Sequence, residues 1–206
     1  FASQFGMSAI YGSRIGLSVS QVSLFVSVIY VSALVAQYPI GWLSDRLDRR
    51  LLIMAVGFIG GVGALLAYFV TDNFTVILIS AAILGGTSNP LYALLIAYTN
   101  DYLEREDMAA ASGGLLFING IGAIAGPLIV GQMMDRLGAN GYWMFSAVLM
   151  LIMGVYAAYR MTRRSRADID VEDAVSYAAI SATSTPIAAE VAQEVYSDAE
   201  EEILDA

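Results

Sequence analysis

Five charges crowd into ten residues between positions 41 and 50: Asp45, Arg46, Asp48, Arg49 and Arg50. Carboxylates and guanidinium groups at this spacing make ion pairs and forked hydrogen bonds, contacts suited to holding one arrangement and releasing it in another. Bond-making chemistry has little to work with. The 206 residues contain no histidine and no cysteine, which removes imidazole acid/base catalysis, thiol chemistry and thiolate metal sites. Gly120-Ile121-Gly122-Ala123-Ile124-Ala125 formally matches a dinucleotide fingerprint, yet it lies inside an apolar run with no strand before it. Walker, serine-elbow and metal motifs do not appear in the sequence. The reading at this level is not an enzyme, with no cofactor and no metal.

The elements that must position those charges are apolar. At 58% hydrophobic and 14% charged, the chain is too apolar for an ordinary soluble domain and points to membrane spans. Ionised groups are costly in hydrocarbon, so the 41–50 segment belongs at a membrane surface, and arginine-rich short loops favour the cytoplasmic side. Around it the pattern predicts an all-α bundle over residues 1–160. Its spans are a partial one at about 1–12, then 20–43, 51–70, 75–98, 108–134 and 142–159, each full one near the length a bilayer demands. Ser18 and Gln21 have capping-box spacing and start the span at 20. Gly85 to Pro90 predicts a kink or unwound turn in the span at 75–98. The chain begins at Phe1 with no signal-peptide pattern, and the first span reads as the end of a helix whose start is missing.

Net charge divides unevenly. Residues 1–160 carry −1 and residues 161–206 carry −8 of the total of −9, so the acidity describes a tail and not the spans. That tail reads as a largely disordered acidic segment. Lysine is absent and basic groups are few, so no nucleic acid is predicted as a partner. Uncharged polar residues within the spans are the candidates for a substrate cavity: Asn89, Tyr92, Gln37 and Asn119, with Tyr30 and Thr87 beside them. Each has the plainer alternative of an interhelical hydrogen bond. Asp, Glu, Arg and Lys are absent deep in any span, so no proton-carrying carboxylate is predicted here.

Gly41-Trp42-Leu43-Ser44-Asp45-Arg46-Leu47-Asp48-Arg49-Arg50 resembles motif A of the major facilitator superfamily, G-x-x-x-D-R-x-G-R-R. Asp48 stands where the family has glycine, a departure read as weakening the turn. Gly113, Gly122, Gly126, Pro127 and Gly131 resemble the glycine-rich motif of antiporters in that superfamily, with Val130 in place of one glycine. The stretches 11–18, 88–92 and 98–103 resemble the second half of its bacterial YcaD-like members. The resemblance implies half of a twelve-helix fold, partial helix 7 and helices 8 to 12, with the N-terminal six-helix half as the missing partner. It implies alternating-access transport of a small solute, with proton-coupled antiport or efflux as one mode.

On that resemblance Gly41, Asp45, Arg46, Arg49 and Arg50 form a gating loop, and Arg46 or Arg49 reaches latch partners Asp101 or Glu104. Arginine counts on the two sets of loops place the C-terminus in the cytoplasm, and the resemblance to bacterial members implies a bacterial inner membrane. A different class of function, a membrane scaffold whose acidic tail recruits a partner, fits the same composition.

Overall fold

The computed structural model describes residues 2–70, 72–102 and 105–163, without the side chains of 105–110. The acidic tail, Glu104 and the side chain of Arg105 therefore lie outside the described residues. Six helices make up the described chain: α1 Ala2–Arg14, α2 Val19–Ser44, α3 Arg49–Phe69, α4 Phe74–Asn100, α5 Arg105–Leu137 and α6 Gly141–Arg163. The last five are long and apolar enough to cross a membrane.

Short connections make consecutive helices run antiparallel, so their ends gather at two opposite faces. One face carries Arg14, the start of α2 and the α5–α6 turn, and the other carries the α2–α3 turn and the end of α4. The Ser18 hydroxyl accepts from the Gln21 amide while the Gln21 side chain accepts from the Ser18 amide, the reciprocal cap its spacing predicts. Gly16 and Gly138 turn the chain at φ +79° and +75°, which side-chain-bearing residues rarely adopt.

The core lies among α2, α3, α4 and α6, with α1 and α5 packed more lightly at one side. Small residues let the backbones approach, as expected where lipid gives no hydrophobic drive for helix contact. A methyl group on Gly57 would meet the Gly154 backbone nitrogen at 2.9 Å, and one on Gly85 would meet the Ile29 carbonyl. Leu52, Ile53, Val56, Ile77, Leu84 and Leu94 fill the space between.

The unwound turn predicted at Gly85–Pro90 does not form. Helix α4 runs through Pro90 without interruption, and side chains around it bond back to their own helix. The Thr87 hydroxyl donates to the Ile83 and Leu84 carbonyls, and the Asn89 amide donates to the Gly85 carbonyl at 3.3 Å. Gly85 and Gly86 serve the close approach of α2 instead of a break.

Candidate functional site

The α2–α3 turn is built from its own charges. Asp45 ends α2 as its C-cap and Asp48 begins α3 as its N-cap. The Asp48 carboxylate accepts from the Arg50 amide at 2.9 Å and from the Arg50 guanidinium at two 3.2 Å contacts. The departure from the family's glycine therefore does not weaken the turn. Position 48 has φ −60°, so no glycine is required, and a carboxylate satisfies orphan amides at a helix start while complementing its dipole.

The three arginines have separate fates. Arg50 folds back on Asp48 and is buried. Arg46 turns outward, donating to the Trp42 carbonyl at 3.3 Å and lying 4.1 Å from the centre of the Trp42 ring. Arg49 crosses to α4. Its Nη1 donates to the Ala97 carbonyl at 3.0 Å and to the Asp101 carboxylate at 2.5 Å. The side chains are 8% and 9% exposed. Asp45 faces Arg49 at 3.9 Å.

Two opposed influences act on Asp101, which caps the end of α4. Burial pushes its carboxyl above the ordinary range, and the Arg49 charge and hydrogen bond pull it back without cancelling that rise. The pair thus sits where a single proton can weaken it.

The substrate-cavity candidates are partly buried and spread over three helices. Gln37 lies on α2, next to Ala36, which packs on Gly86. Asn89 and Tyr92 lie on α4 and Asn119 on α5. Tyr30 stacks on Phe5 of α1 with ring centres 4.7 Å apart. The antiporter-like glycines divide into two groups. A methyl group on Gly126 would strike Ser3 of α1 and one on Gly131 would come to 3.8 Å from Met7, whereas among the described residues nothing lies within 4 Å of that position at Gly113 or Gly122. Pro127 sits inside α5, which continues through it.

Two polar contacts escape any reading of the sequence motifs. Ser88 of α4 donates to the Gln4 side-chain oxygen of α1 at 2.6 Å. Arg14 at the end of α1 pairs with Asp135 near the end of α5, also at 2.6 Å. The first was hidden because residues 1–12 read as a mixed, incomplete span. The second has a faint signal in the shared parity of the two chain segments.

A bundle of apolar helices with a charged turn at one face defines a polytopic helical membrane protein. The profile of the Major Facilitator Superfamily matches residues 1–193, and the chain belongs to that family. It is 25% identical over 159 residues to the uncharacterized MFS-type transporter YE1530 of Yersinia enterocolitica, covering 77% of this chain and 39% of that one. It is also 25% identical over 138 residues to the uncharacterized MFS-type transporter YcaD of Escherichia fergusonii, covering 67% and 35%. The chain thus spans under two fifths of the length of these curated relatives. The fold resembles the crystal structure of an auto-inhibited POT family peptide transporter, with a TM-score of 0.69 at 14% identity over 82% of this chain and 36% of that one. These relationships point to a transporter family and away from an enzyme.

Proposed function

We propose that the chain is the second six-helix half of a secondary transporter, partial helix 7 followed by helices 8 to 12, that moves a small solute by alternating access. Family membership supports transport, and the resemblance of residues 11–18, 88–92 and 98–103 to the second half of YcaD-like transporters supports the placement. The bilayer and an N-terminal six-helix half are its structural partners in this reading, the C-terminus is cytoplasmic, and the membrane is the bacterial inner membrane.

The observation that carries the mechanism is the buried Arg49–Asp101 pair beneath the α2–α3 turn. In our reading it latches the cytoplasmic ends of α3 and α4, with Asp45 as the second acidic partner of Arg49. Breaking such a pair leaves a buried charge uncompensated, so its strength weights the balance between conformations. Asn89, Tyr92, Gln37 and Asn119 are the residues we assign to the solute path.

The test is transport by the full-length protein in proteoliposomes, screened against a panel of labelled solutes, with Arg49→Gln and Asp45→Asn beside the wild type. The variants should insert normally and transport at least tenfold more slowly. Unaltered rates in both would dismiss the latch, and absence of transport of any solute by the wild type would dismiss the transporter reading.

A further inference from the structure

The last turns of α6 carry positive charge that no acid matches. Arg14, Arg49 and Arg50 each meet a carboxylate, whereas Arg160 and Arg163 have none within ion-pair reach among the described residues. Each lies instead over a tyrosine of its own helix. The Arg160 guanidinium is 6.0 Å from the centre of the Tyr156 ring, and that of Arg163 is 5.6 Å from the centre of the Tyr159 ring. Arg160 also stands beside Tyr98 of α4.

These groups end an apolar stripe. Leu149, Ile152, Tyr156, Tyr159 and Arg163 recur every three or four residues, so they share one side of the helix, and all are exposed. The other side, at Ala147, Met150, Gly154 and Ala157, is buried, with Gly154 against Gly57 of α3. The stripe therefore faces away from the bundle's core. Helix α6 starts at the face of the α5–α6 turn and ends at the face of the α2–α3 turn. Its arginines thus lie at one membrane surface, and the stripe runs from them into the bilayer.

We propose that the end of α6 is a binding site for one anionic phospholipid, with its phosphate held by Arg160 and Arg163 and its acyl chains along Ile152 and Leu149. Guanidinium groups suit phosphate oxygens through paired N–H donors, and residues three apart on a helix are neighbours. The tyrosine rings hold the guanidinium groups in place, and rings with polar tips suit the headgroup level. A zwitterionic lipid presents the same phosphate with a cation attached, which two unmatched arginines repel. A soluble phosphate has no chains to cover the stripe.

Native mass spectrometry of the full-length protein in a non-ionic detergent counts the lipids it retains when phosphatidylglycerol, or phosphatidylcholine with the same acyl chains, is added. The wild type should hold one phosphatidylglycerol in preference to phosphatidylcholine. Arg160→Gln and Arg163→Gln should each weaken that binding about fivefold, and the double variant about twenty-fivefold, the contribution expected of an arginine near an anionic membrane surface. Arg136→Gln removes the same charge from the end of α5, at the opposite face, and should leave the binding unchanged. Arg163 is exposed and stacks within its own helix, so Arg163→Gln tests the site even where Arg160→Gln disturbs the contact with Tyr98. Melting temperatures of the variants separate lost binding from lost folding.

A lipid site is excluded if phosphatidylcholine is retained as well as phosphatidylglycerol, or if Arg136→Gln weakens retention as much as Arg163→Gln does. It is excluded too if sn-glycerol 3-phosphate, a headgroup without acyl chains, displaces the lipid at equal concentration, which would mark a site for soluble phosphate. Retention of phosphatidylglycerol only after removal of residues 167–206 would assign the arginines to the acidic tail instead. No transported solute is needed, so the outcome stands apart from the transport reading.

Discussion

Arg49 and Asp101 lie 52 residues apart in sequence and touch at 2.5 Å, with less than a tenth of either side chain exposed. Arg49 opens α3 and Asp101 closes α4, so one contact fastens the start of one helix to the end of the next. The same Nη1 also donates to the Ala97 carbonyl.

Arg49→Gln should lower the stability of the detergent-solubilised protein by about 3 kcal/mol at neutral pH, because Asp101 is left buried and unpaired. Arg49→Lys should recover part of this. Denaturant unfolding followed by tryptophan emission measures both, and a loss of under 0.5 kcal/mol in Arg49→Gln, the level of an ordinary surface change, would show that the pair holds little.

Asp101 also predicts a pH dependence. Its carboxyl is raised in the folded chain, so the folded state binds that proton more tightly than the unfolded state does. The contribution is complete below the ordinary aspartate pKa of about 3.9 and is lost as pH rises through the higher folded value. Lowering the pH from 7 through the carboxylate range should therefore stabilise the wild type relative to Asp101→Asn. Melting temperatures of the two proteins along a pH series test this. Relative destabilisation of the wild type on acidification would mean that pairing with Arg49 outweighs burial.

The glycines divide into tolerant and intolerant positions. Gly57→Ala drives a methyl group into the Gly154 backbone and should cost about 1–3 kcal/mol. Gly122→Ala meets nothing within 4 Å among the described residues, and its melting temperature should match or slightly exceed that of the wild type, since alanine favours a helix over glycine. If Gly122→Ala nonetheless slows transport, the glycine serves a conformation in which another surface covers it.

Asp48→Ala should cost about 1 kcal/mol as a lost N-cap, and Asp48→Gly only a few tenths from the cap itself. Both release the Arg50 side chain from its carboxylate contacts. Chemical denaturation of the two variants side by side distinguishes the cap from the ion pair, because only the cap differs between them.

Much of the bundle is legible in the sequence because lipid enforces it. Charges must sit at the faces, and apolar runs of sufficient length must be helices. The arginine-rich turn and the acidic end of α4 fall on the same face by parity, which brings Arg49 and Asp101 into one small set of possible partners. Which arginine crosses is not legible, since all three are alike in a linear pattern. In the folded chain Arg46 lies on Trp42, Arg50 pairs with Asp48, and Arg49 pairs with Asp101.

At Pro90 the sequence allows a kink or an unwound turn, and α4 stays helical through it. A proline in a span signals a missing backbone donor, but the pattern does not reveal that Thr87 and Asn89 bond back to their own helix. Gly126 and Gly122 look equivalent in a motif and differ in what faces them. Gln4 and Ser88 carry no motif at all, and only the folded bundle brings them together.

The N-cap at Asp48 bears on how such loops are recognised across sequences. Its backbone is extended, at φ −60° and ψ 116°, a conformation open to any L-residue. Serine, threonine, asparagine and aspartate all cap such a start at least about as well as glycine. A consensus that insists on glycine there screens out chains whose loops work by the same geometry. A search that scores the position for capping ability, and keeps the arginine that follows it, would recover them.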